Sequence, residues 1–414
     1  MIKLKFSVNQ AVNQTNIALF IEKAVPMLLL ALFFTTAFAK VVASMIHSAV
    51  ILLFFVYLAL GRSHVFRQAR TLTIIVVVYV GAMVISFANT TSIMSGIQLL
   101  NKQVSKLIII FVLIEFVNME NARKNLYAFA GGGTMLAAVA IFEGLIQHVY
   151  RPPTMWNSVH GGNILLFSLI TTVVLVISEK ENTRRIALLL AGIVTAYALY
   201  LNGTRGVWAA FGITMIAMPF TIRSLDIKKK LIILAVILVV AGAVTQTPFV
   251  RDKFREARQD IAQYEKGEAL HSLGYRIDMW KVSIRMFIEH PLIGVGTGDW
   301  HHELERFVRE RKAPADILVY AQPHNIFLDA LSTRGILGIL TFLSIIFYPV
   351  VIVQKTVQND LEPYRILLLL ATIAFCVSGM SDTLVYIRGV YISYLLLIGV
   401  SLAVFMQKGQ SSME

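Results

Sequence analysis

Residues 322–353 read QPHNIFLDALSTRGILGILTFLSIIFYPVVIV, and this stretch indicates the class of fold. From Gly335 to Val353 it is almost wholly apolar and carries no charged side chain. A helix needs about 20 such residues to cross the hydrocarbon core of a bilayer. His324, Asp329 and Arg334 stand just before this run. The stretch therefore predicts a transmembrane helix with polar residues at its mouth.

Runs of similar length recur along the whole chain. The 414 residues are 57% hydrophobic and 15% charged, whereas soluble domains are about 25% charged. The runs lie at 24–39, 41–60, 71–88, 104–118, 126–148, 161–178, 186–201, 205–222, 230–246, 335–353, 364–381 and 389–406. They predict an all-α polytopic membrane protein with about twelve transmembrane helices, within a range of about ten to thirteen.

The first run also permits a second interpretation. It ends in Ala37-Phe38-Ala39, which resembles a signal-peptidase site. Another apolar run follows at once, and the charged leader is unusually long for a signal peptide. A tight helical hairpin is therefore the preferred prediction.

The basic residues of the short connecting segments predict the orientation. With the N-terminus inside, eighteen lie on the inner side: Lys3, Lys5, Lys23, Arg62, Arg67, Arg70, Arg123, Lys124, Lys180, Arg184, Arg185, Arg223, Lys228, Lys229, Lys230, Lys355, Arg365 and Lys408. Six lie on the outer side: Lys40, Lys102, Lys106, Arg151, Arg205 and Arg388. This positive-inside bias predicts that both termini are cytoplasmic. It also accounts for most of the net charge of +13, so nucleic-acid binding is not predicted.

One outer segment is much longer than the others. It divides the chain into transmembrane helices 1–9 (residues 1–246), a helical loop on the outer side (247–322) and transmembrane helices 10–12 (323–414). Two amphipathic patterns occur in the loop, one at Val250, Phe254, Ala257 and Ile261 and one at Ile277, Trp280, Ile284, Phe287 and Ile288. We interpret the loop as a small helical cap on the outer end of the bundle.

The cap also contains residues that suggest a phosphate loop or a metal site. Gly294, Gly296 and Gly298 lack both the preceding strand and the following Lys-Ser/Thr of a phosphate-binding loop. The ligand-type residues Asp299, His301, His302 and Glu303 occupy four of five successive positions, too close in sequence for all of them to reach one ion. The single cysteine, Cys376, lies in an apolar run. No metal site and no cofactor are expected.

Ionisable residues near the outer helix ends are the candidate functional residues, because charge near a membrane is costly and usually has a use. They are Arg151, His160, Arg205, Arg276, His324, Arg334 and Arg388. Arg151 and Arg388 also suit simple snorkelling to lipid headgroups. Arg205 differs because it lies in a tight turn, and its guanidinium fork suits phosphate.

The length of the quoted stretch places its polar residues. A helix from His324 to Val353 would be about 45 Å long, whereas a bilayer core is about 30 Å thick. The first ten or eleven residues are therefore expected to project from the membrane, with the helix passing into the bilayer at Gly335. His324, Asp329 and Arg334 would then line an outer, partly wet pocket.

Three motifs carry a resemblance to a known family. The stretch HNIFLDALSTRGILG fits H-N-x9-G-x-x-G, with His324, Asn325, Gly335 and Gly338 at the named positions. It resembles the signature of the bacterial O-antigen ligases, which are membrane glycosyltransferases that complete lipopolysaccharide. NGTRGVWAAF (202–211) and HPLIGVGTGDW (290–300) resemble two further motifs of the ligase and polymerase superfamily. Ala209 departs from the pattern, since some ligases have leucine there.

The resemblance implies a GT-C-like membrane fold and a specific reaction. O-antigen polysaccharide would pass from undecaprenyl diphosphate to a sugar hydroxyl of lipid A-core, on the periplasmic face of the bacterial inner membrane. The family pattern places the donor diphosphate on Arg205 and Arg276 and assigns the general base to His324. Candidates for supporting roles are Asn325, Asp329, Arg334, Arg388, Arg151 and His160. Membrane lipids are the other expected partners.

The residue types are suited to this chemistry on independent grounds. A glycosyl diphosphate has a good leaving group once arginines neutralise its developing charge, so no general acid is needed. The acceptor hydroxyl needs a base, and a neutral imidazole can serve near pH 7. A direct displacement inverts the anomeric centre, and the sequence shows no convincing carboxylate pair for a retaining mechanism. Asp329 is one candidate to orient His324, although five residues along a helix place it on another face.

Other functions remain open from the sequence alone. An O-antigen polymerase uses the same donor but tends to have two large periplasmic loops, and an Arg-x10-Gly match at Arg285 and Gly296 favours it slightly. Protein O-oligosaccharyltransferases are usually longer at the C-terminus. A transporter would usually show internal repeats or broken polar helices at mid-membrane, and neither is evident here.

Overall fold

The protein is helical throughout the part that a computed structural model describes, residues 2–149, 156–266, 272–355 and 358–411, with no strand in those ranges. The first ten helices are α1 (Ile2–Phe38), α2 (Lys40–Ala59), α3 (Val65–Gln68), α4 (Arg70–Ile85), α5 (Ile93–Phe116), α6 (Met119–Leu145), α7 (Ser158–Ser178), α8 (Asn182–Asn202), α9 (Arg205–Thr221) and α10 (Ile227–Thr245). The remaining six are α11 (Pro248–Glu265), α12 (Ser272–Glu289), α13 (Trp300–Arg309), α14 (Ile326–Lys355), α15 (Glu362–Gly379) and α16 (Arg388–Ser411).

A helix occupies each of the twelve predicted apolar runs, and the predicted all-α membrane fold is confirmed. Among the described residues, ten helices are long and apolar enough to cross a membrane, and an eleventh is gained if the bent pair α10–α11 is one span. The run at 205–222 forms α9, whose 17 residues lie at the lower limit for spanning. The count by length and composition is therefore ten or eleven, slightly below the predicted twelve.

The core of the bundle is built around the C-terminal helix. In the apolar window of α16, 94% of the residues are buried, because α1, α5, α6, α7, α14 and α15 surround it. A helix that is apolar on every face is expected to lie at such a centre. At the periphery, α10 has no buried side chain and packs mainly on α9.

The segment 247–322, called the cap below, covers one end of the bundle. It contains α11, α12, α13 and a short 3-10 helix at Ala315–Val319. The cap has a small apolar cluster of its own, formed by Met279, Val282, Met286, Val295, Trp300, Leu304, Phe307 and Ile317. Residues 267–271 of the cap lie outside the described ranges.

The apolar residues that define the two amphipathic cap helices are only partly buried. In α12, Met279, Val282 and Met286 are buried, whereas Ile284 and Ile288 are 45% and 68% exposed. The physical reason is that α12 packs against α14 and α13, which cover the face centred on Met279 and Met286. In α11, Val250 is buried, but Phe254 and Ile261 are about half exposed.

The helix that follows His324 is broken at Gly335, where the sequence predicted the start of the membrane-embedded part. Gly335 has φ +63° and ψ −157°, which divides α14 into two helical pieces. Residues 291–296 of the cap run alongside this break. Val295 N–H donates to Ser332 O (2.9 Å), and Ile336 N–H donates to Pro291 O (2.9 Å). The backbone groups freed by the break are thereby satisfied within the protein.

Glycine is required at this contact because of its geometry. A Cβ on Gly335 would lie 2.4 Å from the carbonyl oxygen of Leu292, and one on Gly294 would lie 2.3 Å from the amide nitrogen of Arg334. Both residues also have positive φ. Gly294 of the HPLIGVGTGDW motif and Gly335 thus form a structural clasp between the cap and α14.

Candidate active site

His324 lies at the cap end of the bundle, two residues before α14 begins. Its backbone is in the left-handed region, with φ +49°, a conformation costly for a residue with a side chain. Asn325 fixes the next turn, because its Oδ1 accepts from the backbone N–H groups of Phe327 and Leu328 at 3.0 and 3.1 Å. Its Nδ2 donates to Met380 O at 3.2 Å. The H-N motif therefore joins the start of α14 to the α15–α16 loop.

That loop supplies the partner of His324. The imidazole Nδ1 lies 2.8 Å from Oδ1 of Asp382, and the side chains are 25% and 7% exposed. Asp382 also accepts from the backbone N–H of Thr383 at 2.8 Å. Burial raises the pKa of the Asp382 carboxyl, but the hydrogen bond and charge of His324 outweigh it, so the pKa lies below its usual value. The ring of Tyr320 meets the His324 ring edge-on at 5.5 Å.

The two arginines predicted to bind diphosphate line one cavity. Its volume is about 80 Å³, and it is walled by Arg205, Arg276, Lys253, Ser272 and Ser381, among other residues. Arg205 begins α9, directly after the turn in which Gly203 takes φ +63°. The cavity thus brings together a turn of the bundle, two helices of the cap and the residue before Asp382.

Each arginine is held by neighbouring groups of the cap. Nη2 of Arg205 lies 2.8 Å from Oδ2 of Asp260 on α11. Its Nη1 is buried and has no hydrogen-bond partner among the described residues. Nη1 of Arg276 donates to Ser272 Oγ at 2.9 Å. Lys253, on the same wall, pairs with Glu256 at 2.8 Å. Nη2 of Arg205 is therefore bound to Asp260, and Nη1 can donate to a ligand.

Close packing links the arginine cavity to the histidine pair. A Cβ on Gly206 would lie 2.2 Å from Ser381 Oγ, so the start of α9 touches the α15–α16 loop directly. The Asn202 Nδ2 group donates to Ser158 O at 2.7 Å, which holds the α8–α9 turn against the start of α7. His160 lies in that first turn of α7, and the charges of both His324 and Asp382 act on it.

Asp329 lines a cavity of about 260 Å³, whereas Arg334, which the sequence also placed in an outer pocket, is buried in the bundle. Arg334 is buried; its Nη1 donates to Tyr79 Oη at 2.9 Å and its Nη2 lies 3.0 Å from Asp329 Oδ2. The Tyr386 hydroxyl also donates to Asp329, at 2.7 Å. The expectation that Arg334 lines a wet pocket is wrong, because the break at Gly335 turns this side chain into the bundle. Asp382, not Asp329, contacts His324.

The remaining candidates have separate fates. Arg151 lies outside the described residues. Arg388 is half-buried and its Nη2 donates to Ser44 O at 3.2 Å, so its guanidinium is held against α2. Asp299, one of the ligand-type residues of the cap, accepts from the backbone N–H groups of Thr91 and Ser92. It thereby joins the cap to the start of α5.

The candidate metal ligands of the cap are engaged elsewhere. His301 Nδ1 contacts Tyr320 O at 2.9 Å, whereas Glu303 pairs with Arg306. A second group, Glu289, His290 and Glu303, has ligand atoms within 4.8 Å of one another. Arg306 pairs with both of these glutamates, and Lys312 Nζ also lies 3.8 Å from Glu289 Oε1.

Sequence reasoning missed Asp382, Lys253 and Asp260. Asp382 had a usable signal, because it is the one acidic residue between the last two apolar runs. A lone carboxylate at a membrane boundary is costly and, like a lone arginine, indicates a functional site. Lys253 and Asp260 lie in an amphipathic helix rich in both signs of charge, so nothing in the sequence separated them from solvated neighbours.

The arrangement supplies two chemical functions side by side. A carboxylate on one imidazole nitrogen fixes the ring and stabilises the protonated form, which leaves Nε2 to accept a proton. Two guanidinium groups and an ammonium group around one cavity suit a phosphate-type anion. Ser381 lines the cavity and Asp382 holds the imidazole, so one loop positions both functions.

Comparison with known proteins agrees with these features. Residues 187–343, which contain Arg205, Arg276 and His324, match the family described as O-antigen ligase. A Haemophilus influenzae (strain Rd) protein described as uncharacterized is 26% identical over 268 residues, 62% of this chain and 66% of its own length. The O-antigen ligase of Escherichia coli (strain K12) is 22% identical over 231 residues, 55% of this chain and 53% of that protein. The alignments thus span between about half and two thirds of each relative. Over residues 187–343 the chain is thus similar to the O-antigen ligase family.

Proposed function

We propose that the protein is an O-antigen ligase. It transfers O-antigen polysaccharide from undecaprenyl diphosphate to a sugar hydroxyl of lipid A-core, on the periplasmic face of the bacterial inner membrane. One observation carries the proposal: the His324–Asp382 pair and the Arg205–Arg276 cavity share the α15–α16 loop at the cap end of the bundle. A base and a phosphate-binding group lie side by side, as this transfer requires.

The donor diphosphate is bound by the arginine cavity. Arg205 and Arg276 provide the guanidinium groups, and Lys253, paired with Glu256, lies on the same wall. As the bond between the anomeric carbon and the phosphate oxygen breaks, negative charge accumulates on the diphosphate. Fixed cations stabilise that charge without reorganisation, which is the main way a protein lowers such a barrier. The undecaprenyl diphosphate leaves as an anion and needs no proton.

The acceptor hydroxyl is activated by His324. Its oxygen bonds to the anomeric carbon while its proton passes to Nε2 of the imidazole. The resulting imidazolium is stabilised by Asp382, which faces Nδ1 at 2.8 Å. Asp382 is thus a positioning residue that acts through His324. The acceptor attacks from the side opposite the leaving diphosphate, so the new bond has the inverted configuration.

The orientation follows from the distribution of basic residues. With both termini in the cytoplasm, the cap and all of the candidate catalytic groups lie on the periplasmic side. This assignment is tested by attaching a reporter active only in the cytoplasm, or only in the periplasm, to the C-terminus and to the α12–α13 loop.

Deletion of the gene, followed by electrophoresis of lipopolysaccharide, tests the proposed function. Loss of the O-antigen ladder, with intact core and accumulated carrier-linked polymer, is the expected result. Restoration by the wild-type gene but not by His324→Ala, at matched membrane levels, would assign the activity to this site. Single O-units on the core would identify a polymerase instead. An unchanged lipopolysaccharide with altered glycoproteins would identify a protein O-oligosaccharyltransferase.

A further inference from the structure

Three basic residues lie close together at the cap end of the bundle. Lys102 and Lys106 lie on α5, and Arg388 begins α16. These three residues, the basic cluster, are three of the six cations that the sequence placed in short outer segments. They come from separate parts of the chain, so only the fold brings them together.

Specific contacts hold the basic cluster in place. The Lys106 ammonium donates to Val385 O at 2.8 Å, three residues before Arg388. The Arg388 Nη2 group lies 3.2 Å from Nδ1 of His47 on α2. The charges of Lys102 and Arg388 both act on Lys106. The members are therefore electrostatic neighbours within one site.

Within the described ranges, no member of the basic cluster forms an ion pair with a carboxylate, and Lys106 is only 5% exposed. Two lysines four residues apart on one helix face repel each other, and a buried cation without a counter-charge is expensive. An anionic ligand would relieve both costs.

A cavity of about 260 Å³ adjoins the basic cluster and can accept such a ligand. Lys102 and Lys106 line it together with Trp300 of the cap and Gln322. Asp329 is the carboxylate on its wall, and that group is already bound by Arg334 and Tyr386. The volume is close to the lower limit of small-ligand pockets, about 300 Å³. Positive charge, an amide and an indole face together suit a phosphorylated sugar.

The cavity lies beside the candidate catalytic pair. Gln322 precedes His324 by two residues, and Tyr386, on the cavity wall, follows Asp382 by four. Ser381, in the same loop as Tyr386, lines the arginine cavity. The loop that carries Asp382 therefore lines both cavities, as expected if two anionic substrates meet at one base.

We propose that the basic cluster binds phosphate groups on the glycolipid that accepts the glycan. The inference rests on the proposed function, because it names the second substrate of the same site. The lysines act as point charges on phosphate, and the cavity orients the adjoining sugar so that its hydroxyl reaches His324. The basic cluster thus selects a phosphorylated membrane glycolipid over a neutral one.

The test compares matched variants in nanodiscs of neutral phosphatidylcholine. Lys102→Gln and Arg388→Gln each remove one charge from the basic cluster, and Lys102 is exposed, so its variant should fold. Lys266→Gln is the control, because Lys266 is an exposed lysine of the cap outside the cluster. Initial rates are measured with the native acceptor and with the same acceptor after phosphatase treatment. Both cluster variants should raise the KM for the native acceptor about fivefold to tenfold, the weight of one partly exposed charge-assisted contact. The KM for the donor should stay unchanged.

The two acceptors and the lipid background make the outcome decisive. With the dephosphorylated acceptor, wild type and Lys102→Gln should have the same KM; a difference that persists would overturn the proposal. An unchanged KM for the native acceptor would also overturn it. The proposal would also be overturned if Lys102→Gln lost bound phosphatidylglycerol in native mass spectrometry while its KM for the acceptor stayed unchanged. The site would then bind bulk anionic lipid.

Failure of the proposed function is distinguishable from failure of this inference. If the wild type transfers no glycan to any acceptor, binding of the phosphorylated glycolipid is measured directly, without donor, in the same nanodiscs. Binding that weakens about fivefold in Lys102→Gln and is unaffected in Lys266→Gln would support the basic cluster alone. Equal binding by all three proteins would refute it.

Discussion

Replacing Asp382 by asparagine tests the central geometry of the candidate site. The substitution keeps the size of the side chain and an oxygen that can accept a hydrogen bond, but it removes the negative charge facing His324. The 2.8 Å contact and the burial of Asp382 mean that little solvent is available to replace the lost charge. We expect a folded protein whose imidazolium is less stable and whose transfer step is slower.

The structure sets the size of this effect. Two opposite charges about 4 Å apart interact by about 4 kcal/mol at an effective dielectric constant of about 20. His324 is 25% exposed and the asparagine retains a hydrogen bond, so a smaller value of about 2 to 3 kcal/mol is expected. Since each 1.36 kcal/mol is a factor of ten in rate, kcat should fall about 30- to 160-fold.

The assay is the initial rate of transfer by purified protein reconstituted with labelled lipid-diphosphate donor and acceptor. Asp360→Asn is the matched control, because Asp360 pairs with Lys408 well away from the cap. Its rate should stay within about twofold of wild type, as for an exposed pair. The amount of folded protein is equalised by size-exclusion chromatography and by the thermal unfolding temperature.

A double variant decides whether Asp382 acts through His324. His324→Ala alone should lose about 10²- to 10⁴-fold in rate, the usual weight of a general base. If Asp382 only orients and stabilises the imidazole, adding Asp382→Asn to His324→Ala should cost nothing further. Independent, multiplicative losses would refute the pair as a unit. A single Asp382→Asn variant with more than a third of wild-type activity would refute it as well.

Three further predictions follow from the same structure. Arg205→Lys and Arg276→Lys should each reduce transfer about 10²- to 10³-fold, because an ammonium group cannot reproduce the guanidinium fork. The control Arg255→Lys, on the exposed face of α11, should have no effect, and equal activity of all three variants would disprove diphosphate binding by the two arginines. Gly335→Ala should lower the free energy of unfolding by about 2 kcal/mol or more, since a Cβ there would clash with the Leu292 backbone and Gly335 has positive φ. Gly212→Ala, with open space around its Cβ, is the control, and equal unfolding temperatures for the two variants would contradict the clasp. Transfer should persist in excess EDTA, because arginines occupy the place of a divalent ion at the diphosphate; activity that disappears with chelation and returns with magnesium or manganese would contradict this.

The sequence by itself determined the helices and the main candidate residues. Apolar runs of membrane length specify helices locally, because every backbone polar group in a bilayer must be satisfied within its own segment. A helix therefore occupies each of the predicted runs. The cost of charge near a membrane singled out Arg205, Arg276 and His324, and the family resemblance implied their roles. The fold brings the two arginines to one cavity.

The tertiary structure decided which residues face one another. Asp382 is 58 positions from His324 along the chain, whereas Asp329 is only five positions away. Helix packing nevertheless buries Asp329 against Arg334 and brings Asp382 into contact with His324. The clasp at Gly335 turns Arg334 into the bundle, and α14 and α13 select the buried face of α12. Periodicity is a property of consecutive residues and can be read along the chain. Pairing between distant segments depends on how whole helices pack, and no short stretch of this sequence encodes it.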